Sequence, residues 1–171
     1  MAAASANTPP LVTTRAAVAA DVPALGHLGA LLVAMHYEFD PDRFISPRPG
    51  TERAYGDFLV TQIGRPEVIV LVAEQHNVVL GYTYAGLEGN DYMALRGPAG
   101  VVYDVVVDPT RRRQGIGRLL LDATLKALLE RGAPRIVLST AERNAVAQGL
   151  FGTMGFRRTM IEMTWDPPAK A

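Results

Sequence analysis

A strand-like run that leads directly into a helix-like repeat constrains the fold of this chain more than any other sequence feature. Residues 101–107 read Val-Val-Tyr-Asp-Val-Val-Val, and such a β-branched run is typical of a strand buried on both faces of a sheet. Residues 115–130 follow with apolar side chains at helical spacing. This order predicts an α/β unit with a right-handed crossover to a parallel strand. The predicted apolar face of the helix consists of Ile116, Leu119, Leu120, Ala123, Ala127 and Leu128.

The rest of the chain alternates between strand-like and helix-like segments, without an internal repeat or a long linker. Three prolines within residues 40–50 separate two helical patterns, and the dipeptide His76-Asn77 is typical of a hairpin turn. The predicted order is β-α-α-β-β-β-α-β-α-β, an α/β (α+β) mixed sheet with helices on its faces. The predicted strands are 11–18, 68–74, 78–87, 101–107, 135–140 and 157–165, and the predicted helices are 21–39, 51–63, 115–130 and 145–154.

Length and charge limit the classes to which the protein can belong. A chain of 171 residues suits one domain, which we expect at 11–166 between tails at 1–10 and 167–171. Its 17 basic and 17 acidic side chains give a net charge of zero, which argues against nucleic acid or an acidic membrane as a partner. Because we find no cysteine, no leader and no uninterrupted apolar run of about 18 residues, we expect a soluble cytoplasmic protein without disulfides.

The segment between the central strand and its helix has the composition of an anion site. Residues 111–117 read Arg-Arg-Arg-Gln-Gly-Ile-Gly, so backbone N–H groups, a helix dipole and guanidinium groups converge there. Leu120 stands where a dinucleotide-binding loop needs its third glycine, and the chain has no Gly-Lys pair for a P-loop. The segment therefore predicts a pyrophosphate site that is neither a dinucleotide-binding loop nor a P-loop. The alternative is a solvated turn that merely starts a helix.

Two spaced motifs resemble a known family. Residues 112–117 resemble the acetyl-coenzyme A signature R/Q-x-x-G-x-G/A of the GNAT N-acetyltransferase superfamily, and residues 144–156 resemble its second signature, N-x-x-A-x-x-L-Y-x-x-x-G-F. Together they cover roughly residues 101–156. The resemblance implies a GNAT-like fold in which acetyl-coenzyme A lies between the strands at 101–107 and 135–140.

The resemblance also implies individual cofactor contacts. N–H groups of residues 114–118 would hold the pyrophosphate, and main-chain groups around Val105 and Val107 would pair with the pantetheine amides. An N–H near Val106 would stabilise the oxyanion, and Asn144 would contact the pantetheine arm. The cofactor-binding residues implied in this way are Val105, Val106, Val107, Arg112, Arg113, Gln114, Gly115, Ile116, Gly117, Arg118, Asn144 and Phe151.

Acetyl transfer to an amine requires a base, because deprotonating a lysine-like amine with a pKa of about 10.4 at pH 7 costs about 4.6 kcal/mol. Asp104 is the first candidate, since a carboxylate in an apolar strand is destabilising unless it is paired or used. The alternative is a structural carboxylate satisfied by its neighbours. Glu88 is a second candidate that would act through water, or else a solvated turn residue. Phe151 stands where the family usually has a tyrosine that protonates the departing thiolate.

Candidate acceptor contacts lie late in the first helix and in the loop after it. His36, Tyr37 and Phe44 occupy the region where relatives of this fold bind their acceptors, and Tyr103 adds a hydroxyl in the central strand. The alternative for His36 is a partly buried polar residue on a helix without a role in the pocket. The three histidines of the chain lack the spacing of metal ligands, so we expect no metal. The lack of a G-x-S-x-G elbow argues against a hydrolase triad through Ser139.

The sequence therefore predicts an acetyl-coenzyme A-dependent N-acetyltransferase that acts on a primary amine by direct attack. The alternative is a non-catalytic domain that binds or senses acyl-coenzyme A. No motif between residues 15 and 95 identifies the acceptor, so a small molecule and a protein both remain open. The resemblance also implies that a homodimer can form across the final strands.

Overall fold

The computed structural model describes residues 11–167, so the predicted tails lie outside the described residues except for residue 167. The strands are β1 (Thr13–Ala16), β2 (Val68–Gln75), β3 (Val78–Glu88), β4 (Ala99–Val107) and β5 (Ile136–Leu138). The helices are α1 (Val22–Phe39), α2 (Thr51–Gln62), α3 (Ile116–Glu130) and α4 (Ala145–Thr153). Short 3-10 turns occupy Ala19–Asp21 and Pro109–Arg111.

The five strands form one mixed sheet in the order β1-β2-β3-β4-β5. Neighbouring strands are antiparallel except for β4 and β5, which are parallel and are connected through α3. The predicted hairpin between β2 and β3 is confirmed, and both of its turn residues, His76 and Asn77, have positive φ angles. The predicted mixed sheet with helices on its faces is therefore confirmed.

Helices α1 and α2 cover one face of the sheet. Leu25 and Leu28 of α1 pack with Leu59 of α2 against the buried ring of Tyr82 in β3. Glycines bring the two helices close together, because a Cβ at Gly29 would lie 2.1 Å from the ring of Tyr55 in α2. This close contact fixes the position of a side chain that belongs to the functional site.

Helices α3 and α4 lie over the other face. Leu121 and Leu128 of α3 pack with Phe151 of α4, and Thr124 shares a 2.6 Å hydrogen bond with Thr83 of β3. The buried face of α3 differs from the predicted one, since Leu119 is 36% exposed whereas Leu121 and Thr124 are fully buried. A polar hydroxyl can lie in this core because a second hydroxyl pairs with it.

Two predictions about strands are wrong. β4 is not buried on both faces, since Tyr103 is 40% exposed. Residues 157–165 do not form a strand; the chain passes Gly155 at φ 88° and continues without joining the sheet. Polar contacts from Arg158 to Gln148 and from Arg43 to Glu162 link this segment to the domain.

By length and composition alone, the helical stretch Ala19–Phe39 qualifies as one that could cross a membrane, contrary to the expectation from the sequence. A third of this stretch is buried, including Leu25 and Leu28, which pack against α2 and the sheet. Core helices of globular domains share this composition.

Candidate functional site

The parallel strands β4 and β5 separate after three residues. Only residues 100–102 of β4 pair with β5. On its other edge β4 changes register, because Tyr84 faces Asp104 whereas Ala85 faces Val102, which leaves Tyr103 as an extra residue. Such a bulge bends a strand and increases its twist. The two strands therefore open into a V-shaped gap beyond Val102, between the two strands where the resemblance implied a cofactor.

The bulge also decides where the side chains of β4 lie. Val102 packs with the core beneath α3 and α4, whereas Val106 packs with the core beneath α1 and α2. The ring of Tyr103 lies 4.6 Å from that of Tyr84, and Asp104 contacts Tyr82. Without the extra residue, strict alternation would place Val102 and Asp104 on the same face.

A cavity of about 300 Å³ lies between α1, the loop after it, β4, the end of β5 and α4. The titratable groups that line the cavity are Asp104, His36 and the hydroxyls of Tyr55 and Tyr103, and most of the remaining lining is apolar. The lining side chains are Leu32, Val33, Met35, His36, Phe44, Ile45, Tyr55, Val102, Tyr103, Asp104, Val105, Leu138, Ser139, Thr140, Asn144, Ala147 and Phe151.

Asp104 is a buried carboxylate held by two hydroxyl groups. The hydroxyls of Tyr55 and Tyr82 donate to its Oδ2 atom, over 2.6 and 3.0 Å, and Asp104 itself is only 8% exposed. Burial raises the pKa of this carboxyl above its ordinary value, and the two hydrogen bonds partly counteract that rise. Asp104 is thus a carboxylate that is paired with two hydroxyls and also lines the cavity.

Glu88 lies behind the cavity wall. One of its carboxylate oxygens accepts a 2.6 Å hydrogen bond from Tyr103, and the other pairs with Arg96. The cavity lining does not include Glu88. It therefore reaches the cavity only through the hydroxyl of Tyr103.

Three of the four predicted acceptor residues line the cavity: His36, Phe44 and Tyr103. The His36 ring lies 4.9 Å from the Phe44 ring, and its Nδ1 atom is 2.9 Å from the carbonyl oxygen of Leu32. Tyr37 does not line the cavity. Tyr55, which the sequence prediction missed, does.

The Arg/Gly loop lies at the other end of the gap. α3 begins after Gly115, whose φ is 81°, and no side chain caps this helix end within the described residues. A Cβ at Gly117 would touch Leu150 of α4 at 3.5 Å and Val107 of β4 at 3.6 Å. The first turn of α3 therefore opens between β4 and α4, where its N–H groups can meet an anion.

The remaining predicted cofactor contacts divide into side chains at the surface and side chains in the core. Ile116 is 2% exposed and Val106 is 5% exposed, so they can offer a ligand only main-chain groups. Asn144 caps α4 by accepting from the N–H of Ala147 and lines the cavity together with Phe151 and Val105. The exposed residues of the loop are Arg112, Arg113, Gln114, Gly115 and Arg118.

One protein family matches this sequence over most of its length. The sequence pattern of the acetyltransferase (GNAT) family matches residues 32–156. A mycothiol acetyltransferase of Thermobispora bispora is 35% identical over 98 residues, which are 55% of this chain and 32% of the relative. The [ribosomal protein bS18]-alanine N-acetyltransferase of Escherichia coli K12 is 33% identical over 66 residues, 39% of this chain and 45% of that one. The chain matches less than half the length of each of these relatives.

Solved structures share the fold at low sequence identity. A mutant of the BH1408 protein from Bacillus halodurans superposes with a TM-score of 0.76 at 22% identity, covering 91% of this chain and 99% of that one. A Clostridium acetobutylicum protein, described as a predicted acetyltransferase with acetyl-CoA, gives a TM-score of 0.69 at 16% identity, with coverage of 91% and 96%.

Proposed function

The chain belongs to the GNAT acetyltransferase family, and we propose that it transfers the acetyl group of acetyl-coenzyme A to a primary amine by direct attack. One observation carries this proposal: a single cavity reaches both the gap between β4 and β5 and the buried carboxylate of Asp104. A domain that only bound or sensed the cofactor would need no base at that position. We therefore favour the enzyme over the binding domain.

The residues around the gap fit acetyl-coenzyme A. The uncapped N–H groups of α3 suit a pyrophosphate, and the exposed guanidinium groups of Arg112, Arg113 and Arg118 add positive charge beside it. The unpaired edge of β4 beyond Val102 would hydrogen-bond to the pantetheine amides as an added strand does. When bound, the cofactor supplies a thioester whose carbonyl carbon is open to attack.

Asp104 would take the proton from the acceptor ammonium. Its Oδ2 atom is occupied by two hydroxyl donors, which leaves Oδ1 for the amine. A carboxylate whose pKa is raised by burial accepts a proton more readily than an exposed one does. The protein thereby offsets part of the cost of about 4.6 kcal/mol for deprotonating such an amine at pH 7.

Phe151 carries no hydroxyl, so it cannot protonate the departing thiolate. It packs instead against Phe156, at 5.9 Å between ring centroids, and lines the cavity. A thiol with a pKa of about 8.5 leaves as a thiolate at pH 7 at a cost of only about 2 kcal/mol. The hydroxyls of Ser139 and Tyr103 line the same cavity and would assist.

The cavity wall favours an acceptor whose amine is attached to an apolar body. Leu32, Met35, Phe44 and Ile45 line the acceptor side, and Ile45 is 75% exposed at its rim. Among the described lining residues, Asp104 is the one carboxylate. A hydrocarbon chain beside the amine would bury apolar surface here, whereas an ether or hydroxyl would lose hydrogen bonds to water.

Two amines of equal length test the proposed function and this preference together. We expect thiol release from acetyl-coenzyme A with n-hexylamine, and a kcat/KM at least about tenfold lower with 2-(2-aminoethoxy)ethanol at equal free-amine concentration. The product is checked by mass spectrometry. Turnover that favours the ether amine would contradict the apolar acceptor, and absence of turnover with a broad amine panel would contradict the enzyme.

We also propose that the active assembly is a homodimer, with residues 157–167 of one copy pairing with β5 of the other. This segment exposes four large apolar side chains by 74–86%, namely Met160, Ile161, Met163 and Trp165. β5 pairs only with β4, so its other edge is unpaired within the described residues. An open strand edge and an unpaired, strand-like segment are complementary.

Light scattering measures this assembly directly. We expect the wild-type protein at twice the chain mass of 18.4 kDa, and the double variant Ile161→Asp/Met163→Asp at the mass of one chain. Met93→Asp is the matched control, because Met93 is 92% exposed on a different loop. A monomeric wild-type protein, or a double variant that stays dimeric, would refute the proposed pairing.

A further inference from the structure

We propose that Tyr55 and Tyr82 are positioning residues that hold Oδ2 of Asp104, so that Oδ1 is left to take the proton of the acceptor amine. This inference rests on the proposed function, and neither tyrosine lies in a motif of the sequence. Tyr55 belongs to α2 and Tyr82 to β3. The carboxylate is thus held from two separate elements.

The two hydroxyls occupy one oxygen. Tyr55 donates over 2.6 Å and Tyr82 over 3.0 Å, both to Oδ2. A carboxylate oxygen has two lone pairs, so these bonds saturate Oδ2, and within the described residues Oδ1 is left as the free acceptor. Because two bonds from different directions fix the plane of the carboxylate, Oδ1 has one orientation with respect to the cavity.

The surrounding core fixes both rings. Tyr82 is fully buried and packs among the side chains beneath α1 and α2. The Tyr55 ring lies directly on the backbone of Gly29, where a Cβ would be only 2.1 Å from ring atom Cδ1. Any side chain at position 29 would therefore displace Tyr55 from Asp104. Glycine at this position is needed for the hydrogen bond as well as for helix packing.

The hydrogen bonds act on the charge of Asp104. They favour the ionised carboxylate, whereas burial favours the neutral acid. Burial and the nearby carboxylate raise the pKa of both tyrosines, so their hydroxyls stay protonated and continue to donate at assay pH. The titratable groups that face Asp104 from α1, α2, β3 and β4 are His36, Tyr55, Tyr82, Tyr84 and Tyr103.

Removing one hydroxyl tests the proposal. In Tyr82→Phe and in Tyr55→Phe, we expect the acidic limb of the kcat/KM profile to move to higher pH, with about a tenfold loss of kcat/KM on that limb that is regained at higher pH. Carboxyl ¹³C NMR should show the same shift in the titration of Asp104. Tyr84→Phe is the control, because the Tyr84 hydroxyl donates to Gln62 at 3.3 Å instead.

Gly29→Ala provides a second test of the positioning role, since it keeps both hydroxyls but displaces the Tyr55 ring. We expect it to shift the Asp104 titration as Tyr55→Phe does. If the titration midpoint of Asp104 is unchanged in both tyrosine variants, the positioning role is refuted, even if activity falls. The NMR titration does not require turnover, so this result is distinguishable from failure of the proposed acetyl transfer.

Discussion

Asp104→Asn is expected to lower kcat by about 10²- to 10⁴-fold at pH 7, the range in which a positioned base contributes. The amide keeps an oxygen that can accept from Tyr55 and Tyr82, so the site keeps its shape and loses only its base. The deficit should shrink as the pH approaches the pKa of the amine, because the substrate then arrives deprotonated. Steady-state thiol release between pH 6 and 10 measures this.

The same substitution should not weaken the fold. Burial raises the pKa of Asp104 in the folded protein, so the folded state binds the proton more tightly than the unfolded state does. Stability from this group is therefore present at low pH and decreases as the pH rises through the folded pKa. At pH 7.5 the variant, which lacks this charge, should melt no lower than the wild type.

Asp57→Asn is the matched control, because Asp57 is an exposed carboxylate on α2 that contacts Arg53. It should change neither turnover nor melting. If Asp104→Asn retains wild-type turnover from pH 6 to 9, Asp104 is a structural carboxylate and not the base.

Gly117→Val is expected to abolish binding of coenzyme A, with a loss of affinity of at least about 100-fold. The added Cβ would lie in ordinary contact with Leu150 and Val107, so the fold can accommodate it. Its methyl groups would extend into the space between β4 and α4, where the N–H groups of α3 are proposed to bind the phosphates. Isothermal titration calorimetry measures the affinity.

Gly149→Val controls for placing valine in a helix, since an added Cβ at Gly149 meets nothing within 4 Å. This variant should bind coenzyme A as the wild type does. Equal affinity in Gly117→Val and Gly149→Val would show that the pyrophosphate does not lie at the first turn of α3.

The sequence predicted those parts of the site that depend on local order. The strand, the Arg/Gly loop and α3 are adjacent in the chain, so their periodicity and glycines were sufficient to predict the loop at the helix start. Asp104 stood out as a carboxylate within an apolar strand. The bulge at Tyr103 was missed because it depends on the register between β3 and β4, and no residue type in the run specifies it.

The sequence alone could not predict contacts between distant segments, because these contacts depend on how the helices pack. Tyr55 lies 49 positions from Asp104 in sequence, and only the packing of α1 on α2 brings them together. One signal was available, since Gly26 and Gly29 in α1 and Gly56 in α2 have the small side chains typical of close helix contacts. The segment at 157–165 has the residues of a strand, but strand propensity does not supply a pairing edge, and no strand within the described residues pairs with this segment.

Thermal melting with acetyl-coenzyme A tests the central claim, that the gap between β4 and β5 is a cofactor site, most directly. At a concentration about 100 times the dissociation constant, binding should stabilise the fold by about 2.7 kcal/mol. For a domain of this size, that corresponds to a rise in Tm of about 5–10 °C. We predict such a rise for the wild type and for Asp104→Asn, and none for Gly117→Val. An unchanged Tm of the wild type at millimolar acetyl-coenzyme A would contradict the account.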